Sequence, residues 1–195
     1  SLQIIIAADC TGHGVPGAFM SMLGVTMLNE IVTSRQIVMP DQIIEELRNG
    51  IIKALNQVAD EESVKDGMDI AICVVDFDKN LLYYSGANNP LYLVRNGELI
   101  HYRADKMPVA IHYKMVPFTL HTIELQKGDA FYIFSDGYAD QFGGPKQKKF
   151  MTAQLKETIV AMVHEPMLKQ GERLHEIFEE WRGDSPQVDD VTLIG

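Results

Sequence analysis

Cysteine is scarce. Only Cys10 and Cys73 occur in 195 residues, each in or just after an apolar run and without framework spacing, which argues against a disulfide-stapled secreted scaffold and for a reduced, cytoplasmic protein. Basic charge is scarce too: 17 Lys and Arg stand against 27 Asp and Glu, a net charge of −10. The basic residues are scattered where a nucleic-acid surface would need a stripe, so no nucleic-acid partner is expected. No apolar run approaches about 20 residues and no signal-peptide pattern opens the chain, so neither a membrane span nor direct membrane contact is expected. Internal repeats and low-complexity tracts are absent, as are His-x-x-x-His and Cys-x-x-Cys spacings, which disfavours zinc.

What is present is enough apolar residues, 46%, to bury a core within one domain spanning 1–195. The stretch 4–17, IIIAADCTGHGVPG, reads as a strand, a glycine turn and the start of a helix. Residues 2–9 are continuously apolar, as in a strand covered on both faces. After Pro16, residues Phe19, Met22, Leu23, Met27 and Ile31 recur at helical spacing, marking an amphipathic helix. A second helix starts near Pro40 and Asp41, with Ile43, Leu47, Ile51, Leu55 and Val58 on one face. Beyond the acidic linker 60–67, strands are predicted over 69–76, 80–87, 90–102 with an Asn96-Gly97 hairpin turn, 116–125 and 130–136. Helices are predicted over 150–164 and 166–182, separated by Pro166, and a last strand over 191–194. Hairpin-joined strands with helices grouped before and after them describe an α+β layered sandwich.

Three carboxylate stations adjoin apolar strands: Asp9, Asp136, and the pair Asp189 and Asp190. A charge there is costly unless it is paired or bound to a cation, and carboxylates gathered at strand ends suit Mg²⁺ or Mn²⁺. Each also has a plain structural reading. Asp136-Gly137 is a common turn dipeptide, Asp189-Asp190 a polar turn before an edge strand, and Asp9 a helix cap; their combination favours the metal. A rival reading takes Gly12-x-Gly14-x-x-Gly17 as a dinucleotide-binding turn. In that fold the first glycine comes straight off the strand and an acid on a second, parallel strand reads the ribose. Here Asp9-Cys10-Thr11 intervenes, and Glu30 falls within a helical pattern.

Four motifs in order then carry a resemblance: Asp9-Cys10-Thr11-Gly12-His13-Gly14, Tyr84-Ser85-Gly86-Ala87-Asn88-Asn89-Pro90, Phe134-Ser135-Asp136-Gly137 and Asp189-Asp190-Val191-Thr192. Together they resemble the SpoIIE-like bacterial branch of the metal-dependent (type 2C) serine/threonine phosphatases. Asp66 to Ala71 and Asp140 to Gly144 look like the versions attached to bacterial sensor proteins. The resemblance implies a four-layer α-β-β-α sandwich of two antiparallel sheets flanked by helix pairs, holding two Mn²⁺ or Mg²⁺ ions. By the same resemblance Asp9 would bridge the ions, the carbonyl of Cys10 would bind one, and Asp136 and Asp189 would hold the other, with Asp190 supporting. His13 would donate a proton to the leaving oxygen. The implied reaction is hydrolysis of phosphoserine or phosphothreonine by a metal-activated water, without a phosphoenzyme.

The family's upstream strands, with a Gly-Asp-Phe-Tyr-like stretch whose aspartate reaches the metals, are not in this chain, which starts at Ser1 almost inside a strand. It is therefore expected to be an N-terminally truncated domain with low or no activity and an unpaired sheet edge open to homodimerisation. Met107 to Ile111 replaces a Pro-Leu-Gly-like turn with bulkier residues. Lys146, Lys148 and Lys149 would attract a phosphate or form a solvated loop. The implied partners are a phosphorylated regulatory protein of the anti-sigma-factor-antagonist type and an upstream sensor region of the same parent chain, which could be membrane-anchored. The non-catalytic alternative is a degenerate phosphatase acting as a signalling scaffold.

Overall fold

In the computed structural model, residues 1–12, 14–58 and 66–195 are described. The linker at 60–67 therefore lies mostly outside the described residues. The elements run β1 (Leu2–Cys10), α1 (Gly14–Asn29), α2 (Pro40–Ala54), β2 (Met68–Asp76), β3 (Leu81–Ala87), β4 (Leu91–Arg95), β5 (Glu98–Tyr102), β6 (His121–Glu124), β7 (Ala130–Phe134), α3 (Gly137–Asp140), β8 (Phe142–Gly143), β9 (Lys148–Lys149), α4 (Thr152–Met162), α5 (Met167–Arg182) and β10 (Leu193–Ile194). They divide into two compact units: Ser1–Leu91 with Tyr102–Leu125, and Tyr92–His101 with Gln126–Gly195.

The first unit is a sheet of order β1-β2-β3-β6. Strand β1 pairs antiparallel with β2, so that Asp9 faces Asp69 and Cys10 faces Met68. This pairing excludes the parallel strand that a dinucleotide-binding crossover requires. Alternation sends Ile4, Ile6 and Cys10 with Met68, Ile70, Ile72 and Val74 into the core under α1 and α2, while Asp9 and Asp69 lie on the opposite face. The reading of β1 as a strand covered on both faces is corrected: it is an edge strand with only Ala7 buried. Strand β2 is the buried one, and unbroken apolarity alone does not say which of two neighbours takes the edge.

Helix α1 turns only part of the expected face inward: Ile31 is buried and Leu23 and Met27 pack against the core, but Met20 takes the place of Phe19 and Met22. Phe19 and Met22 are each 69% exposed, whereas Met20 is 3% exposed. The helix is apolar nearly all round, so periodicity cannot choose a side. The choice falls on the face bearing Gly24, where an added Cβ would lie 2.5 Å from the Met68 Cε; the missing side chain lets Met68 fill the gap. With a π-helical turn at Glu30–Ser34, the helix runs continuously over Gly14–Ser34, 21 residues that include an 18-residue stretch of mean hydropathy 1.3. By length and composition alone it could cross a membrane, a test that the core helices of soluble proteins also pass. Polar residues interrupt it, so it contains no unbroken apolar run of that length. Ser21 and Thr26 satisfy their hydroxyls on the carbonyls of Gly17 and Met22, which a helix accommodates.

Ile43, Leu47 and Ile51 of α2 are buried as expected, but Leu55 and Val58 lie past its end and are exposed. Of the strand predicted over 116–125 only β6 forms. The backbone before it bonds elsewhere: the Val116 carbonyl accepts from Arg48, the Phe118 N–H donates to Glu45, and the Thr119 N–H donates to Asp105.

The second unit is a sheet of order β10-β7-β4-β5, with the expected Asn96-Gly97 turn between β4 and β5 at positive φ in both residues. Tyr92, Val94, Tyr132, Phe134, Phe150, Leu155, Ile159, Leu174 and Phe178 form its core, to which α4 and α5 contribute from either side of Pro166. Arg95 grips the nearly buried Asp129 through two hydrogen bonds of 2.9 and 2.6 Å. Strand β7 ends at Phe134 and β10 covers only Leu193–Ile194, so Ser135, Asp136, Val191 and Thr192 lie outside the strands. Each unit is thus an antiparallel sheet backed by helices, in the α+β class that the sequence indicated.

Candidate metal centre

Asp9 is the penultimate residue of β1. The turn that follows is held by a reciprocal latch: the Thr11 N–H donates to the Gly67 carbonyl at 3.0 Å, and the Gly67 N–H donates to Thr11 Oγ1 at 2.8 Å. On the other side of this loop the Val109 N–H donates to the Met68 carbonyl at 2.8 Å. Met107, Val109 and Ala110 are buried there, so the bulky departure at 107–111 is absorbed as core packing. Cys10 turns its thiol toward the helices, and burial pushes its pKa up. That leaves its backbone carbonyl as the donor suited to a hard cation. His13 lies outside the described residues.

In the second unit, Ser135 staples the two segments that carry the remaining carboxylates. Its Oγ donates to the Asp190 carbonyl and accepts from the Thr192 N–H, each at 3.0 Å, while its own N–H donates to the Thr192 carbonyl at 2.9 Å. Gly137 completes the join. A Cβ there would lie 2.3 Å from the Asp190 carbonyl oxygen and 3.4 Å from the Asp189 Cβ, so the close approach needs a residue without a side chain. The carboxylate oxygens of Asp136 and Asp189 come within 4.8 Å of each other. Burial first, then the negative charges of Asp140 and Asp189, push the Asp136 carboxyl above its usual range. Two oxygen donors forced together against their charge form a set that a divalent cation relieves, so these residues fit Mn²⁺ or Mg²⁺.

The structure thus brings Asp136 and Asp189 together, and Asp190 adds its main-chain carbonyl to the staple. Asp9 belongs to the other unit. Two supporting residues had no role assigned from sequence. One is Ser135, although it lies inside a quoted motif. The other is Gln141, fully buried, whose amide donates to the Phe142 and Pro186 carbonyls and so holds the segment leading to Asp189. Its position inside the Asp140 to Gly144 run was the available signal. Of the lysines, Lys149 is taken up by an ion pair with Asp140 at 2.7 Å and lies over the Phe142 ring.

The family model of Stage II sporulation protein E (SpoIIE) matches residues 3–195. The chain belongs to the SpoIIE family. Among solved structures it is similar to the SiaA PP2C domain of Pseudomonas aeruginosa, at 26% identity over 97% of this chain and 73% of that one, with a TM-score of 0.86. It is also similar to the PP2C phosphatase domain, with a fragment of the regulatory domain, of SpoIIE from Bacillus subtilis. There the identity is 17% over 99% of this chain and 56% of that one, with a TM-score of 0.72. A third likeness is to RsbX in complex with magnesium, at 15% identity, 98% and 79% coverage and a TM-score of 0.62. A comparison with curated proteins finds no match. The fold is that of the PP2C phosphatases, and the SpoIIE-family match takes in all four motifs.

Proposed function

We propose that this SpoIIE-family chain hydrolyses phosphoserine or phosphothreonine on a regulatory protein in bacterial signalling, with Mn²⁺ or Mg²⁺ as cofactor. The observation that carries the reading is the Asp136 and Asp189 pair, two carboxylates kept close by the Ser135 staple and Gly137. Asp136 and Asp189 hold one ion. By the family resemblance Asp9 and the carbonyl of Cys10 would also serve as metal ligands. Bound divalent ions supply an activated water and neutralise the charge that develops on the transferred phosphoryl group. Ser135 and Gln141 keep the Asp189 segment in place, and His13 is assigned the proton given to the leaving oxygen. The magnesium in RsbX and membership of the SpoIIE family support the choice of cofactor. The substrate is assigned to the anti-sigma-factor-antagonist class and the site of action to the cytoplasm, with an upstream sensor region of the parent protein as regulator.

Hydrolysis of a phosphoserine peptide tests the reading. Slow turnover is expected with Mn²⁺, faster when the chain is extended upstream by the family's strands, with none in excess chelator and none in Asp136→Asn. A folded wild-type chain that takes up no Mn²⁺, or an Asp136→Asn variant as active as wild type, refutes it. A chain that takes up Mn²⁺ through Asp136 and hydrolyses nothing, even when extended upstream by the family's strands, supports the scaffold reading.

A further inference from the structure

The ladder between β1 and β2 places Asp69 directly opposite Asp9. In an antiparallel pair, directly opposed side chains share a face with Cβ atoms about 5 Å apart, and like charges so placed disfavour the pairing. The chain nevertheless holds Asp69 in position. Asn88 Nδ2 donates to Asp69 Oδ1 at 2.8 Å. Asn88 itself adopts φ 59°, a left-handed conformation that asparagine tolerates better than most residues. Its N–H donates to the Asp105 carbonyl at 2.9 Å, and the Asp105 N–H donates back to the Gly86 carbonyl at 3.0 Å. The Asp105 carboxylate in turn accepts from the N–H and hydroxyl of Thr119 at 2.7 and 3.0 Å. All these residues belong to the unit that carries Asp9.

We propose, resting on the metal-dependent reading above, that Asp69 is a positioning residue for the cation at Asp9. Its carboxylate, oriented by Asn88, adds negative charge beside Asp9 and so raises divalent-cation affinity, while the ligands remain those already assigned. Asparagine at 69 keeps an acceptor for Asn88 and removes only the charge. Alanine at 88 keeps the charge and removes the bond that orients it.

The test is Mn²⁺ titration calorimetry with thermal unfolding in chelator, on wild type, Asp69→Asn, Asn88→Ala and Asp136→Asn. Supporting residues around a metal typically change its affinity by about 10- to 100-fold. Asp69→Asn is expected to weaken Mn²⁺ binding by at least about tenfold, with metal-free melting not lowered. Asn88→Ala is expected to weaken it in the same direction. Wild-type affinity in Asp69→Asn overturns the proposal, as does a drop in metal-free melting without a change in affinity, which would mark Asp69 as structural. If Asp136→Asn loses Mn²⁺ and Asp69→Asn keeps it, the proposal falls alone. If wild type takes up no Mn²⁺, or Asp136→Asn binds it normally, the metal reading fails and the proposal goes with it.

Discussion

Adding one methyl group at Gly137 tests the carboxylate pair without touching a charge. The new Cβ of Gly137→Ala would lie 2.3 Å from the Asp190 carbonyl oxygen and 3.0 Å from its carbon, where comfortable non-bonded contact begins near about 3.5 Å. Both neighbouring atoms are backbone, so no side chain can swing aside and the segment carrying Asp189 must retreat by on the order of 1 Å. Overpacking of this kind costs about 1–3 kcal/mol. Displacement of one ligand relative to Asp136 should weaken Mn²⁺ binding by about 10- to 100-fold, the range seen when the residues supporting a metal site are altered. Denaturant unfolding in chelator measures the first effect, and calorimetric titration with Mn²⁺ the second. Gly171→Ala is the control: nothing lies within 4 Å of its added Cβ, and in the interior of α5 it should stabilise by about 1 kcal/mol. A folded Gly137→Ala variant with wild-type Mn²⁺ affinity would refute the reasoning, because the Asp189 segment would then adjust freely.

Two further outcomes follow from packing and charge. Met20→Ala should cost about 2–5 kcal/mol by opening a cavity under α1, while Phe19→Ala should stay within about 0.5 kcal/mol; the reverse order in chemical denaturation would show that α1 packs by its other face. Asp129→Asn should cost about 2–3 kcal/mol near neutral pH, less than for a fully buried pair because Arg95 keeps some contact with water. The Arg95 guanidinium holds the Asp129 carboxyl below its ordinary value. Its contribution is therefore complete above the unfolded-state pKa of about 3.9 and fades as pH falls through the lower folded value. The gap between wild type and Asp129→Asn should accordingly be constant at neutral pH and narrow below about pH 4; a gap that widens on acidification would contradict it.

The α+β class, most strand positions, the helix pair broken at Pro166 and the metal-ligand candidates were legible in the sequence, because each rests on local chemistry. Asn96-Gly97 adopts the positive φ angles of a tight hairpin, and aspartates at the ends of apolar strands need cations or partners. Other features depended on residues distant in the chain. Strand β1 lies at a sheet edge and β2 does not, although both are apolar, since edge position is a property of the order of pairing. Helix α1 turns Met20 inward because Gly24 admits Met68, a choice that an all-round apolar helix does not carry in its own spacing. Residues 116–120 spend their backbone groups on Arg48, Glu45 and Asp105 and so never join the sheet. The local sequence thus marked which carboxylates are candidates for a cation. Tertiary structure decided what holds them, because the Ser135 staple, the close approach at Gly137 and the opposition of Asp69 to Asp9 each join segments more than 50 residues apart, and no local pattern specifies such a meeting.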